Sequence, residues 1–351
     1  MLGSKIKFDS LMARLVDGCI LDVDHQQSSH QRRRSETIKP SNHQTKKMHT
    51  TTYETPLVLS GPLRSPVNML VHQVYDGHKS LHDGDVAAGL GLKDAPIEGP
   101  THFSQFVPLL VKIWGNAWYE KGCFSSHFKN MVVEGEQVKA FVEVPAEGAT
   151  TTRCWAEKAD GTPVLEASAS IGQTEETLLD KRMAKLRPYE RLVILEDLKI
   201  GMKGAVEELV CMQPDQHLGD LYPFSLNQKL SAITENSPYY ESGNDAPWQH
   251  AIIPLEMVSV LGMYTSTQAK FPVKQPAVGL FADLEIRMIK GPLFVGETYL
   301  IRREIVALGE SRQTEGYWTR SRIFDKTGTE QVAEMLLHQA SFKQSYPHYP
   351  K

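Results

Sequence analysis

The stretch that decides the fold is Leu81–Trp118, with the sequence LHDGDVAAGLGLKDAPIEGPTHFSQFVPLLVKIWGNAW. Its first part is a polar loop rich in glycine and acidic residues, and its second part is strongly apolar. The apolar side chains recur at helical spacing: Phe103, Phe106, Val107, Leu110, Ile113, Trp114, Ala117 and Trp118. Such a wide apolar face predicts a helix wrapped by other structure, with a kink at Pro108.

The composition is that of an ordinary globular protein. The chain has 351 residues, enough for roughly two domains of about 150 residues each, and 23% of them are charged. The net charge of −4 gives no basic excess that would indicate a nucleic-acid partner. The sequence also has no run of 18 apolar residues, so no membrane span is predicted. We therefore expect neither nucleic acid nor membrane as a partner.

The cysteines and histidines follow no metal-binding pattern. The four cysteines, Cys19, Cys123, Cys154 and Cys211, form no CxxC pair. The thirteen histidines are not spaced as a zinc motif. Free thiols in a reducing compartment are the simpler interpretation, which favours a cytoplasmic protein without a metal.

Residues 1–54 differ from the rest of the chain. Their polar run HQQSSHQRRRSETIKPSNHQTKK has almost no apolar side chains to offset the entropy of ordering, so we predict a disordered extension. The three arginines at 32–34 alternatively suit a targeting or interaction tail. A charged segment at 181–191, containing Pro188, predicts a linker between globular units at 55–180 and 192–345.

The segment after the apolar helix predicts antiparallel strands. Val138, Ala140, Val142 and Val144 alternate with less apolar positions, which is the period of a half-buried strand. Residues 150–158 and 164–171 form two further strand-like runs, with a hairpin signal at Asp160-Gly161 between them.

A weak internal repeat connects the two halves. Gly135-Glu136 corresponds to Gly296-Glu297, Gly161-Thr162 to Gly328-Thr329, and Pro100 to Pro254, at separations of 161, 167 and 154 residues. Similar spacing of several unlike features favours a duplication. Two copies of one helix with one antiparallel sheet would pack as a pseudo-dimer, and the sheets could join edge to edge.

These features resemble a known family, the MaoC-like hydratases and dehydratases. Their loop has the pattern Asp-x-Asn-Pro-Leu/Ile-His, an alanine six residues later, and then Pro-Ile and a glycine. The matching residues here are Leu81-His82, Ala88, Pro96-Ile97 and Gly99. Further on, HFKNMVVEGEQV at 127–138 resembles a sheet segment of the family, and LEDLKIGMK at 195–203 resembles the opening strand of a second unit. The resemblance implies an α+β double hotdog, in which two long buried helices are each wrapped by an antiparallel sheet.

The sequence departs from the family at the catalytic dyad. In the family, an aspartate and a histidine five residues apart activate a water molecule. Five residues before His82 stands Gly77, and Asp76 lies one residue further back. At the matching place in the second half, Glu235 and Tyr240 replace the pair. The second half therefore resembles an acyl-binding wall rather than a second catalytic centre.

The resemblance suggests catalytic and substrate-binding residues. His82 would transfer the proton, since a histidine titrates near neutral pH, and Asp76 would orient it, with Asp83 and Asp85 as alternatives. Substrate binding is predicted for Asp85, for His102 and for Gly99, whose following N–H groups at a helix N-terminus could form an oxyanion hole. Glu98 stands where the family usually has a histidine; it either changes the protonation chemistry or is simply solvated.

The leading functional hypothesis is therefore a hydro-lyase that adds or removes water at a C=C bond of an acyl thioester. The thioester carrier would be coenzyme A or a carrier protein, with no other cofactor, and the chain could form a homodimer. Two alternatives stay open: a hotdog thioesterase, and a non-catalytic acyl-thioester binding module in which both dyads have decayed.

Overall fold

The computed structural model describes residues 56–172, 176–241 and 247–350, so the predicted extension at 1–54 lies outside the described residues. The strands are β1 (Val58–Ser60), β2 (Val74–Tyr75), β3 (His78–Lys79), β4 (Gly122–Phe128), β5 (Val138–Glu143), β6 (Thr151–Lys158), β7 (Pro163–Ile171), β8 (Glu208–Cys211), β9 (Gly279–Met288), β10 (Thr298–Glu310), β11 (Thr314–Asp325) and β12 (Gln331–Phe342). The α-helices are α1 (Gly84–Gly89), α2 (Val107–Trp114), α3 (Ala117–Lys121), α4 (Leu178–Met183), α5 (Leu226–Ala232) and α6 (Leu255–Leu261). Short 3₁₀ turns span Gly99–Gln105, Pro238–Tyr240, Ser266–Ala269 and Lys343–Ser345.

Ten strands form one antiparallel sheet that repeats itself about its centre. The spatial order is β1-β5-β6-β7-β4-β9-β12-β11-β10-β8. Read outward from the middle, β4-β7-β6-β5-β1 matches β9-β12-β11-β10-β8. Each half is one hotdog sheet, and the two sheets join edge to edge through β4 and β9, as the repeat predicted. At the junction the edge strands β4 and β9 pair with each other, so neither is free to pair with a strand of another molecule.

The turns confirm the duplication residue by residue. Gly161 and Gly328 occupy the hairpins β6–β7 and β11–β12 with φ of 84° and 72°. Gly135 and Gly296, before β5 and β10, have φ of 88° and 81°. This left-handed region is open to glycine at little cost, which explains why both copies carry glycine at these turns.

The helices are shorter than the sequence predicted, although the double-hotdog fold class is confirmed. The apolar stretch is divided into the 3₁₀ segment Gly99–Gln105, then α2, then α3, with a break at Gly115, whose φ is 58°. Pro108 does not kink a continuous helix. It lies in the first turn of α2, where its missing N–H costs nothing. The second unit has only the seven-residue α6 at the corresponding place.

Two further predictions differ from the structure. The segment 195–203 forms turns rather than an opening strand, with only a bridge from Lys203 to Glu304, and β8 takes the edge position instead. The predicted linker begins inside α4, which packs on the sheet through the fully buried Leu179. The Leu179 N–H donates to Ser125 Oγ at 3.0 Å, so this helix is anchored to the junction strand β4.

The main core lies between the helical segments and the sheet. Phe103, Phe106 and Leu110 from the first unit and Met257 and Leu261 from the second are buried in one continuous apolar cluster. The two units therefore fold as one body. Within the described ranges, no helix combines the length and apolar character needed to cross a membrane.

Candidate functional site

A cavity of about 580 Å³ lies where the two units meet. The loop that leads into the 3₁₀ segment Gly99–Gln105 contributes to its wall, and so do strands β11 and β12 of the second sheet. Its wall includes His82, Glu98, Gly99 and His102 from the first unit and Tyr222, Arg303, Tyr317, Thr319, Gln339 and Ser341 from the second. Four of the residues predicted from the sequence, Asp76, His82, Gly99 and His102, thus line one cavity.

His82 is held in a defined tautomer. Its Nδ1 lies 2.6 Å from the carbonyl oxygen of Pro96. Because a carbonyl oxygen can only accept, Nδ1 carries the proton and Nε2 keeps its lone pair. Burial lowers the pKa of His82 to about 4, despite the opposing effect of the Pro96 carbonyl. At neutral pH the ring is therefore uncharged and its Nε2 can accept a proton.

The predicted acids do not contact His82. Asp76 lines the cavity but is an exposed residue in the turn between β2 and β3, with φ of 48°. Asp83 caps α1 by accepting from the Asp85 and Val86 N–H groups, and it pairs with Lys79 at 2.8 Å. Asp85 is exposed in the first turn of α1 and lies outside the cavity wall. The family's aspartate–histidine dyad is thus not formed among the described residues.

Glu98 is the acidic group that the fold brings into the cavity. Its side chain is buried, with 7% exposure, so the alternative of a solvated residue is wrong. The Tyr222 hydroxyl donates to Glu98 Oε1 at 3.2 Å. Burial raises the pKa of Glu98 to about 7, even though Lys229 and Tyr222 act in the opposite direction. Glu98 can therefore both give and take a proton at neutral pH.

Gly99 is required where the loop approaches the sheet. A Cβ at this position would lie 2.6 Å from Cε1 of Phe128, which is too close for any real side chain. The Gly99 N–H has no hydrogen-bond partner within the part of the chain that the structure describes. The 3₁₀ segment that begins at Gly99 has only seven residues, so the contribution of a helix dipole to binding a carbonyl oxygen is small. The free N–H of Gly99 is the group that could donate a hydrogen bond to such an oxygen.

His102 has a ring nitrogen without a hydrogen-bond partner among the described residues. The residue is 2% exposed, and its Nδ1 is buried without a hydrogen-bond partner among the described residues. Burial, followed by the nearby Lys229 and Lys158, lowers the pKa of His102 to about 4. The ring is therefore neutral at pH 7 and can make one more hydrogen bond, which fits the predicted role in substrate binding.

A buried ion pair lies behind this wall. Lys229 Nζ is 3.3 Å from Glu256 Oε1, and Ser104 Oγ donates to Glu256 Oε2 at 2.6 Å. Sequence reasoning missed this pair, together with Tyr222. The available signal was Glu256, a charge inside the apolar segment LEMVSVL, since an unpaired charge would be costly there.

Among the described residues of the second unit, no histidine–acid pair lies at the place that matches the dyad. Tyr240 is buried, and Glu235 is engaged by Arg64 through two hydrogen bonds of 2.6 and 3.0 Å. Within the described ranges, no group of three or more histidine, cysteine, aspartate or glutamate side chains could hold a metal ion.

Three solved structures align with most of this chain. A protein described as a MaoC domain dehydratase from Chloroflexus aurantiacus has a TM-score of 0.52 at 15% identity, and the alignment covers 83% of this chain and 95% of that one. A double-hotdog protein from Mycobacterium tuberculosis has a TM-score of 0.49 at 10% identity, with coverages of 83% and 97%. An oleoyl thioesterase from Lactobacillus plantarum has a TM-score of 0.37 at 11% identity, with coverages of 82% and 97%.

No family model matches the chain, and no curated protein matches its sequence. The structural likeness at 15% identity establishes the fold and leaves the chemistry to the residues of the site. The chain is a double-hotdog protein with the fold of the MaoC domain dehydratase.

Proposed function

We propose that this chain is an acyl-thioester hydratase or dehydratase, which adds or removes water at the C=C bond next to the thioester carbonyl. The observation that carries the proposal is the pair of titratable groups in one cavity: a neutral His82 whose Nε2 is free and a buried Glu98 that titrates near pH 7. Two groups with pKa values moved apart by their surroundings are what acid–base catalysis needs.

In the direction of hydration, His82 Nε2 takes a proton from water and the water oxygen bonds to the β-carbon. The electron pair of the C=C bond moves to the α-carbon and the thioester carbonyl, forming an enolate. The Gly99 N–H is available to hydrogen-bond the enolate oxygen. Protonated Glu98 then delivers a proton to the α-carbon, and solvent exchange restores both groups. Dehydration is the same sequence in reverse.

Glu98 takes the acid role here because it is buried and its pKa lies near neutrality. Asp76 stays a prediction: it lines the cavity but is exposed and makes no hydrogen bond to His82. The carrier of the acyl group, coenzyme A or a carrier protein, and the formation of a homodimer also stay predictions.

One observation favours a second function, a non-catalytic acyl-thioester binding module. His82 Nδ1 is bound to a backbone carbonyl rather than to a carboxylate. A carboxylate would stabilise the imidazolium formed during proton transfer more strongly than a neutral carbonyl does. In this function the cavity would hold the thioester without changing it.

The test is to add the purified protein to crotonyl-coenzyme A and follow the enoyl absorbance and free thiol together. Loss of absorbance without thiol release supports the hydratase. Thiol release would show a thioesterase. Binding without either change would show the binding module, and it would contradict the proposed chemistry.

A further inference from the structure

The second unit presents a polar patch to the cavity. The patch consists of Tyr317 and Thr319 on β11 and Gln339 and Ser341 on β12. Tyr317 lies directly opposite Gln339 in the strand register. Thr319 and Ser341 are each two residues further along their strands, and residues two apart on a strand share one face. Because the strands are antiparallel, Thr319 and Ser341 lie on opposite sides of the Tyr317–Gln339 pair, and the four side chains form one diagonal row.

The polar patch has no partners within the described protein. Thr319 Oγ1 is completely buried without a hydrogen bond, and the residue is 3% exposed. The side chains of Tyr317, Gln339 and Ser341 likewise make no hydrogen bond to any described residue. Buried polar groups in folded proteins are nearly always paired, so the groups of the patch take as partner either water in the cavity or a polar group of a ligand.

Two polar side chains beside the polar patch, Tyr75 and Gln275, do have partners within the protein. The Tyr75 hydroxyl donates to the Ala277 carbonyl at 3.2 Å and accepts from the Gly279 N–H at 2.9 Å. Gln275 Oε1 contacts His78 Nε2 at 3.1 Å and accepts from the Ala277 N–H. Among the described residues, unpaired polar groups therefore lie on two sides of the cavity, at the polar patch of the second unit and at His82, Gly99 and His102 of the first.

A plain hydrocarbon chain does not suit this surface. It would displace water from the polar patch and offer Thr319, Gln339 and their neighbours no hydrogen bond in return. A hydroxyl group can both donate and accept, and a keto group can accept from the Tyr317 hydroxyl or the Gln339 amide. An acyl group carrying such an oxygen would satisfy the polar patch that a saturated chain leaves unpaired.

We propose that the substrate is an oxygenated acyl thioester, whose acyl chain carries a hydroxyl or keto group beyond the reacting carbons that hydrogen-bonds to the patch of Tyr317, Thr319, Gln339 and Ser341. The inference rests on the proposed acyl-thioester function and narrows its substrate class. The polar patch recognises the substrate, whereas His82 and Glu98 perform the proton transfers.

The experiment compares two ligands that differ only in this oxygen. Isothermal titration would measure hexanoyl-pantetheine against hexanoyl-pantetheine bearing a hydroxyl or a keto group next to the terminal methyl. Pantetheine is the part that coenzyme A and carrier proteins share, so the choice of carrier does not affect the result. We expect the better of the two oxygenated ligands to bind about 10-fold more tightly.

Two variants locate the preference. The double variant Thr319→Val with Gln339→Leu should remove the preference while hexanoyl-pantetheine binds at least as well as before. Gln331→Leu is the matched control, because Gln331 lies on the same strand β12 but outside the cavity wall. If the double variant does not fold, Tyr317→Phe removes one hydroxyl from the polar patch and supplies the same comparison.

The outcomes separate this inference from the proposed function. Equal affinity of all three ligands for the wild type would overturn the inference and leave the acyl-thioester function standing. A preference that survives in the double variant, or in Tyr317→Phe where that variant replaces it, would also overturn the inference. Failure of every pantetheine thioester to bind would overturn the proposed function, and the inference with it.

Discussion

The Tyr222 hydroxyl and the Glu98 carboxylate are joined by a hydrogen bond of 3.2 Å across the boundary between the two units. Tyr222 follows β8 in the second unit, and Glu98 ends the loop that leads into the first helical segment. The bond fixes one carboxylate oxygen and leaves the other for a ligand. The second unit thus supplies the hydroxyl group that positions a buried carboxylate of the first unit.

Replacing Glu98 with glutamine should reduce hydration of an enoyl thioester by about 10²- to 10⁴-fold, the usual effect of losing a general acid or base. The amide has nearly the same shape and can still accept from Tyr222, so binding should change little. The wild-type rate should change near pH 7, where Glu98 titrates, and this feature should be missing from any residual rate of the variant. Initial rates from pH 5 to 9 provide the measurement. An unchanged rate and pH profile would remove Glu98 from the mechanism.

Glu98 should also make stability depend on pH. Its folded pKa of about 7 exceeds the ordinary value of 4.5, so between these values the folded state binds more protons than the unfolded state. Stability must therefore fall as pH rises through this window, by roughly 3 kcal/mol in total for a shift of this size. Urea unfolding at pH 5 and pH 8 should show a smaller decrease for Glu98→Gln than for the wild type, while equal decreases would contradict the assignment.

Substituting alanine for His82 tests the proposed base. Turnover should fall by about 10²- to 10⁴-fold, and stability should fall by about 1 kcal/mol through loss of the hydrogen bond to Pro96. Tyr240→Phe is the control, since Tyr240 is buried in the second unit outside the cavity wall, and it should keep its turnover. A fully active His82→Ala alongside an inactive His102→Ala would move the chemistry to His102.

The parts of the fold that could be predicted from the sequence are those that depend on a local pattern of residues. The alternation of Val138, Ala140 and Val142 appears in β5 as buried residues between partly exposed ones, and Gly161 and Gly328 both mark hairpins. Each of these features depends on neighbours within a few residues. The sequence also indicated His82 and Gly99 through the residues that resemble a family motif, and His102 through its place in the first turn after Gly99; all three line one cavity.

The properties of Glu98 could not be predicted in this way. Its raised pKa depends on burial by the second unit and on Tyr222, which is 124 positions away. Nothing local reveals that partner. The absence of a hydrogen bond between Asp76 and His82 has a related reason: the exposed β2–β3 turn sets the course of the backbone at Asp76, and spacing in sequence does not describe that turn.

Introducing a methyl group at Gly99 should disturb the loop that carries the site. The new Cβ would lie 2.6 Å from the Phe128 ring, so Gly99→Ala should destabilise the protein by about 1–3 kcal/mol and lower turnover. Adding Phe128→Leu should recover part of the stability, because leucine vacates the space of the ring edge. Thermal melts of the single and double variants give the comparison. A double variant no more stable than Gly99→Ala would show that the contact with Phe128 is not the cause.

Asp283 holds together the strands at which the two sheets join. Its Oδ1 lies 2.8 Å from His127 Nδ1 on β4 and 2.9 Å from Arg182 Nε on α4, and its Oδ2 lies 2.7 Å from His338 Nδ1 on β12. Burial alone would raise the pKa of Asp283, but His127 and His338 outweigh it, so the pKa lies well below its ordinary value. The carboxylate is therefore ionised at neutral pH and connects three elements.

Replacing Asp283 with asparagine should destabilise the protein by about 3 kcal/mol at pH 7, because Arg182 loses its counter-charge and the amide sets an N–H₂ group against a donor. A depressed folded pKa contributes stability above the unfolded value of 3.8, and that stability is lost as pH falls through the folded pKa. The difference between wild type and variant should therefore shrink on acidification below pH 4. Urea unfolding at pH 7 and pH 3 measures both effects, with Asp197→Asn as the control at an exposed position. If Asp283→Asn is no less stable than that control at pH 7, the three contacts to Asp283 do not hold the junction together.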